Sequence, residues 1–363
     1  MIKPRSSQLN IVEEMKTDSV NQRLIVATGN NGLLHYFYLV SGRIHSFFIE
    51  DLDSAKAGSI IIGSVTNVCK GIDGYFVNIN KDTQVFLPGS AAEKAILINR
   101  AYNGKLYEGD LVIIQISKEE YKNKKAAATT KIKYPAGLDH ERLTQISRTC
   151  PKYTVIHKGL CYLDILQKNN KEFNSCNIIC ADEVSFKHVN SYYKETINTA
   201  SSNLQDIPPI KMYDDTTISL GALYSLRSKF DEISNEKVWL KSGGYLYINP
   251  TEAMTVIDIN TGKTNGKNRE KTILATNMEA IEEIAYQIKA RNLSGIIIID
   301  LINSKADDFN TILTKHMSEH FNMIKPAPKL EDITKLGLAE VTRQKILPDI
   351  YELLPKFDKT ILM

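Results

Sequence analysis

The chain has 363 residues, more than one average domain, and its 43% hydrophobic content suits a globular protein of two or three domains. Lys and Arg number 45 against 42 acidic residues, and a formal charge of +3 announces no nucleic-acid partner by itself, so electrostatic recognition must be local. Five cysteines (Cys69, Cys150, Cys161, Cys176 and Cys180), an odd number with no CxxC pair, argue against a disulfide framework and a zinc knuckle.

Residues 1–22 are polar, without the apolar stretch of a secretory signal, and read as a loose extension. RLIVAT and LLHYFYLVSGRIHSFFIE follow as paired strands joined at the turn-forming Gly29-Asn30-Asn31-Gly32. SIIIGSVTNV, GYFVNI, TQVFLP and DLVIIQI are short strands closely punctuated by Gly, Asp and Pro, the pattern of a small barrel. The signal weakens over 131–205, a small subdomain holding a strand at YTVIHKG. SLGALYSLRSKFDEI then predicts a helix, and VWLKS and YLYINP two strands joined at Gly243-Gly244.

AMTVIDI reads as a buried strand and NTGKTNGKNRE as a polar loop. A helix comes next, with Leu274, Met278, Ile281, Ala285 and Ile288 on one face, and SGIIIIDLI is a second, β-branched strand. The unit is strand-helix-strand, with parallel strands. Its longest apolar run, Gly295 to Ile302, is too short to cross a bilayer and is interrupted by Asp300, so no membrane partner and a reducing, cytoplasmic setting are expected.

Asp258 and Asp300 each stand near the carboxyl end of a strand of this unit. A right-handed crossover brings both ends to one edge of the sheet, where open α/β sheets place ligands. Neighbouring strands are roughly 4.8 Å apart, so the two carboxylates can share one hard cation such as Mg²⁺, with Asn260 and Asn303 orienting water or substrate around it. The alternative is a loop cap at Asp258 and a structural ion pair at Asp300. NTGKT is no phosphate-cradling loop, because the glycine required five positions before Gly262 is Ile257. Lys263, Lys267, Arg269 and Lys271 instead form a basic or simply solvated loop.

In the barrel segment, Phe76 and Phe86 lie on neighbouring strands, with Lys118, Lys122, Lys124 and Lys125 after the last one. Aromatic faces stack on unpaired bases and lysines neutralise phosphates, which suits single-stranded nucleic acid. The other reading is two core rings and a solvated lysine run.

Several ordered segments together carry a family resemblance: RLIVAT, GSVTNVCKGIDGYFVNINKDTQVFLP, ISKEEYKNKKAAATTKI, SGGYLYI, TEAMTVIDINTGK, TNMEAIEEIAYQIKARNLSGIIIIDLI and GLAEVTRQK. From about Arg23 to Lys345 the chain resembles the catalytic region of the ribonuclease E/G family. The resemblance implies an α+β multi-subdomain fold. An RNase H-like subdomain (23–57 and 206–250) would receive an inserted S1-type barrel at 58–130. A reduced 5′-sensor-like region at 131–205 and a DNase I-like α/β catalytic subdomain at 251–363 would complete it. It also implies a metal on Asp258 and Asp300, Asn260 beside the first, and RNA contacts at Phe76, Phe86, Lys118, Lys124 and Arg343. The implied activity is Mg²⁺-dependent (or Mn²⁺-dependent) cleavage of single-stranded RNA during processing or decay, leaving 5′-phosphate and 3′-hydroxyl ends. A catalytically decayed RNA-binding protein is the alternative.

Three places depart from the family pattern. Asn303 stands where a second acid is usual, His157 and Lys158 stand where an Arg-Thr-Ala-Gly stretch would hold a 5′-monophosphate, and no CPxCxxG segment is present. Neither zinc nor a zinc-linked tetramer is therefore expected, and the oligomeric state stays open.

Overall fold

β-branched and aromatic runs become strands here wherever glycine or asparagine lets the chain reverse. The computed structural model describes residues 22–120, 125–135, 137–170, 173–199, 207–262, 269–304 and 308–363. β1 (Gln22–Thr28), β2 (Leu34–Val40) and β3 (Arg43–Glu50) form an antiparallel meander. Its second reversal is the pair Ser41-Gly42, both at positive φ (49° and 80°), which matches the twist of a tight hairpin.

The chain divides into two compact units, one of residues 53–165 and one of residues 1–52 with 166–363. The first of these contains β4 (Ile60–Cys69), β5 (Gly74–Asn78), β6 (Gln84–Pro88), β7 (Leu111–Lys118) and β8 (Ala127–Thr129). The pairing order β4-β5-β6-β8-β7 returns to β4, so the sheet closes on itself, with β6 and β8 parallel and every other pair antiparallel. A closed five-stranded barrel of this order has the Greek-key arrangement of small nucleic-acid-binding barrels and is consistent with the S1-like barrel read from the sequence. Alternation sends Val77, Val85, Leu87, Val112, Ile114 and Ala128 into its core. Helix α1 (His140–Ser147) starts where Asp139 accepts from the Arg142 backbone N–H at 2.8 Å, and the short β9 (Val155–His157) pairs with β4.

After α2 (Tyr162–Asn169), β10 (Asn177–Cys180) pairs parallel with β1. β11 (Ile210–Met212) follows α3 (Glu183–Thr199) and pairs parallel with β10, which completes a sheet of order β11-β10-β1-β2-β3. The stretch 131–205 thus supplies strands to the sheets of both units. Its signal is weak because those strands are only three or four residues long. The single helix expected after Ile218 is two, α4 (Leu220–Leu223) and α5 (Leu226–Ser234), since Ser225 at φ 51° turns left-handed and breaks the ladder.

The larger unit ends in a second sheet built from β12 (Lys237–Trp239), β13 (Tyr245–Pro250), β14 (Met254–Asn260), β15 (Gly295–Asp300), β16 (Lys329–Ile333) and β17 (Leu338–Arg343). Helices α6 (Arg269–Ala290), α7 (Phe309–Phe321) and α8 (Ile350–Leu353) accompany it. The sheet order is β12-β13-β14-β15-β17-β16, and only β14 and β15 run parallel, joined by α6 as expected of a strand-helix-strand unit. Ile257, Ile259, Ile297 and Ile299 point to one face and meet Ile281, Ile284 and Ile288 of α6. Each fully buried isoleucine contributes about 1.5 to 3 kcal/mol, so this layer fixes which face of each strand points away from the core. Arg43 of β3 joins the two sheets of this unit through α6, donating to both Glu283 oxygens at 2.8 and 3.1 Å and lying 3.5 Å from the Tyr286 ring centroid. Among the described residues no helix is long and apolar enough to cross a membrane.

Candidate functional site

Strand alternation decides where the two aspartates go. With Ile257, Ile259, Ile297 and Ile299 committed to the core, residues 258 and 300 must project from the opposite face. The parallel register pairs Asp258 directly with Asp300, so the carboxylates stand side by side, about 4.8 Å apart in backbone spacing. Asn260, two residues along the same face, donates its Nδ2 to Asp258 Oδ2 at 2.7 Å and fixes that carboxylate's rotation. No partner among the described residues hydrogen-bonds or ion-pairs with Asp258 Oδ1 or with Asp300. Two adjacent carboxylates without a cation repel each other, and hard oxygen donors of this kind fit one Mg²⁺ or Mn²⁺.

The second strand end is pinned by a residue the sequence reading passed over. Asn277, fully buried on the apolar face of α6, donates to Ile302 O at 2.8 Å and accepts from Ile302 N at 3.1 Å. Such a two-way clamp fixes the chain just beyond Asp300, and an amide in register with Ile281, Ile284 and Ile288 was the available signal. Asn303 is tied elsewhere: its Nδ2 donates to Leu336 O at 2.9 Å, and a side chain at Gly337 (φ 89°) would collide with it. It therefore anchors the turn before β17. Of the basic loop, Lys263 and Lys267 lie outside the described residues, while Arg269 and Lys271 sit in the first turn of α6.

Arg343 requires a correction. It is 5% exposed and donates to Leu293 O at 2.7 Å, to Pro326 O at 3.0 Å and to Asn292 Oδ1 at 3.0 Å. Burial pulls its pKa down to about 10. Its donors satisfy interior acceptors, so it is an internal brace and offers no surface to RNA. The contact was implied by the family resemblance, whereas alternation along β17 puts position 343 in line with Ala339 and Val341 on the core face.

On the barrel, the outer face carries a continuous cross-strand row. Phe76 pairs with Phe86, Phe86 with Ala127, and Ala127 with Lys118. The phenylalanine rings, half-buried and outside the core cluster, lie 5.6 Å apart. Gly74 lets Phe86 lie flat over β5, since a Cβ there would strike the ring. Lys125 Nζ is 5.3 Å from the Phe76 centroid and donates to Gln84 Oε1 at 2.9 Å. Lys122 and Lys124 lie outside the described residues. His157, half-buried on β9, has its pKa lowered by desolvation, which leaves a neutral imidazole near pH 7.

One further donor set escaped the cysteine-based argument about zinc. His316 and His320, one turn apart on α7, and Glu282 of α6 bring one ligand atom each within 4.8 Å of one another. The HMSEH spacing was the visible signal. None of the five cysteines forms a disulfide, and burial pushes the thiols of Cys176 and Cys180 up to about 12, which makes them poor nucleophiles.

The family model described as "Ribonuclease E/G family" matches residues 118–346, which include the paired aspartates, most of the larger unit and the last part of the smaller one. The chain belongs to the ribonuclease E/G family. Among curated relatives, the "Ribonuclease E/G-like protein" of Pyropia yezoensis is 33% identical over 195 residues, covering 53% of this chain and 38% of the relative. "Ribonuclease E" of Synechocystis is 39% identical over 138 residues, 38% of this chain and 20% of that protein. "Ribonuclease G" of Escherichia coli is 38% identical over 133 residues, 36% of this chain and 27% of that protein. The chain therefore spans well under half the length of these relatives, and membership of the ribonuclease E/G family is established for this region rather than for a whole relative.

Proposed function

We propose that this chain is a divalent-metal-dependent endoribonuclease that cuts single-stranded RNA in processing or decay and leaves 5′-phosphate and 3′-hydroxyl ends. The observation that carries the reading is the register of Asp258 against Asp300, with Asn260 holding the first carboxylate. Membership of the ribonuclease E/G family and the names of the relatives support it. In this reading Asp258 and Asp300 hold Mg²⁺, with Mn²⁺ as a substitute, and Asn260 orients Asp258. A bound divalent ion supplies charge neutralisation at the scissile phosphate and lowers the pKa of an attacking water. Asn277 keeps the end of β15 from drifting, so Asp300 stays within reach of its partner.

The proposed subdomain map keeps an S1-type barrel at 58–130 inserted between RNase H-like segments, 23–57 and 206–250, and a DNase I-like subdomain at 251–363. The five-stranded order β11-β10-β1-β2-β3 and the closed barrel support it. A cytoplasmic site of action belongs to the same proposal. Cleavage of a short single-stranded RNA in magnesium, abolished by a chelator, tests it. Asn303 in place of an acid favours a second reading, an RNA binder without catalysis, and RNA that is bound but never cut would select it.

Two expected results follow for RNA contacts. Phe76→Ala is expected to weaken RNA binding by about 1 to 3 kcal/mol, the value of one stacked base. Because the ring lies on the barrel's outer face, the melting temperature should stay close to wild type, whereas loss of a core ring would cost about 3 to 5 kcal/mol. Melting curves beside affinity measurements separate the two.

Cleavage is also expected to depend little on the 5′ end. Capture of a terminal dianion needs convergent charge-assisted donors, and the corresponding place offers a neutral His157 and Lys158 without a bidentate fork. Matched oligomers carrying a 5′-phosphate or a 5′-hydroxyl measure this. A preference of tenfold or more for the phosphate, about 1.4 kcal/mol, would show a working sensor.

A further inference from the structure

The face of the second sheet that carries Asp258 and Asp300 also carries an aromatic cluster. Val238, Leu246 and Ile248 point into the core, so Lys237, Trp239, Tyr245 and Tyr247 project from the aspartate face. Register places them in two rows: Lys237 beside Tyr247 beside Asp258 beside Asp300, and Trp239 beside Tyr245 beside Asn260. Trp239, the only tryptophan in the chain, is 65% exposed, and Tyr247 is 37% exposed. Tyrosines 245 and 247 meet at right angles with centroids 5.7 Å apart, and Trp239 meets Tyr245 edge-on at 5.5 Å. Lys237 Nζ lies 4.0 Å from the centroids of both Trp239 and Tyr245.

A large aromatic side chain left in water on a sheet face gains nothing from folding, and exposed apolar groups gathered in one patch mark a binding surface. An ammonium among the rings makes the patch attractive to an anion as well as to a π-face. One flexible chemical class needs both, namely unpaired bases joined by phosphates. The distance also fits. Tyr247 is one strand from Asp258 and Lys237 is two, roughly 5 and 10 Å across the sheet.

We propose that Trp239, Tyr245 and Tyr247, with Lys237 among them, form a stacking platform for the bases of single-stranded RNA that flank the phosphate held at Asp258 and Asp300. The platform rests on the proposed function for the identity of its ligand. It gives the catalytic sheet its own grip on substrate, independent of the barrel phenylalanines.

The single tryptophan makes the platform directly observable. The full chain is titrated in a chelator with a short oligouridylate labelled at its 3′ end with fluorescein, following label anisotropy and tryptophan emission in parallel. Emission is expected to quench along the same isotherm as the anisotropy. Trp239→Ala is expected to weaken binding about tenfold, and Trp239→Phe, which keeps a stacking ring, to stay within about twofold of wild type. The side chain is mostly solvent-exposed, so both variants should fold, and circular dichroism checks this.

Saturating anisotropy with unchanged tryptophan emission overturns the platform and leaves the nuclease reading standing. Quenching without cleavage once magnesium is restored upholds the platform and sinks the nuclease. Absence of any anisotropy change overturns both. Emission that shifts with protein concentration in the absence of RNA assigns the face to a second copy of the chain and also overturns the proposal.

Discussion

Replacement of Asp300 by Asn is expected to slow RNA cleavage about a thousandfold while leaving the fold and RNA affinity nearly unchanged. The substitution keeps the size of the side chain and removes one of the two charges proposed to hold the divalent ion. Metal stabilisation of a phosphoryl transition state is worth several kcal/mol, and a loss of about 4 kcal/mol is three decades of rate. The fold should survive because Asp300 is exposed and takes part in no hydrogen bond or ion pair among the described residues. Removing one of two adjacent like charges relieves repulsion in the metal-free state, so thermal stability in chelator should rise slightly or stay level. Single-turnover cleavage at saturating magnesium, with affinity measured in chelator, provides the check. Wild-type cleavage by the variant would end the assignment of this pair as the metal site.

Arg343→Ala is expected to act in the opposite way, destabilising the larger unit by about 3 kcal/mol while leaving the salt dependence of RNA binding as it was. The guanidinium is buried and serves Leu293 O, Pro326 O and Asn292 Oδ1 at 2.7 to 3.0 Å. Truncation strands these acceptors, each costing about 1 kcal/mol or more when buried without a partner. A phosphate-contacting arginine would instead lower the slope of affinity against salt by about one unit, without affecting the denaturation midpoint. Denaturant midpoints and a salt series on the same variant therefore distinguish brace from contact. A flattened salt slope with unchanged stability would restore Arg343 to the RNA-facing surface.

The parts of the molecule that sequence made plain are those where one physical signal dominated. The isoleucines of TVIDI and GIIIID, with the spacing of Leu274, Met278, Ile281, Ala285 and Ile288, required a strand-helix-strand unit. Two aspartates at matching depth then had to meet. Four of the five barrel strands were legible for the same reason, while the three-residue β8 that closes the barrel was not read. Three things were less visible. β17 inserts antiparallel between β15 and β16, a pairing fixed by long-range contacts that no local pattern encodes. Arg343 entered as an RNA contact through the family resemblance, and its alternation phase on β17 was not weighed. The aromatic cluster around Lys237 was hidden although YLYINP is a strand as read and VWLKS overlaps one at Val238 and Trp239. Only the register of β12, β13 and β14 gathers their outward residues beside the aspartates.

The shared register of β14 and β15 also limits how this chain can change over evolutionary time. The same alternation that buries Ile297 and Ile299 turns Asp300 outward, so a one-residue deletion between Gly295 and Ile299 would rotate carboxylate and isoleucine through each other's positions. Chemistry and core would fail together. Viable lineages should therefore vary the length of the β14–α6 and α6–β15 connections freely but keep the two strands themselves gap-free, a pattern that random single-codon deletion across residues 254–300 followed by selection for activity would reveal.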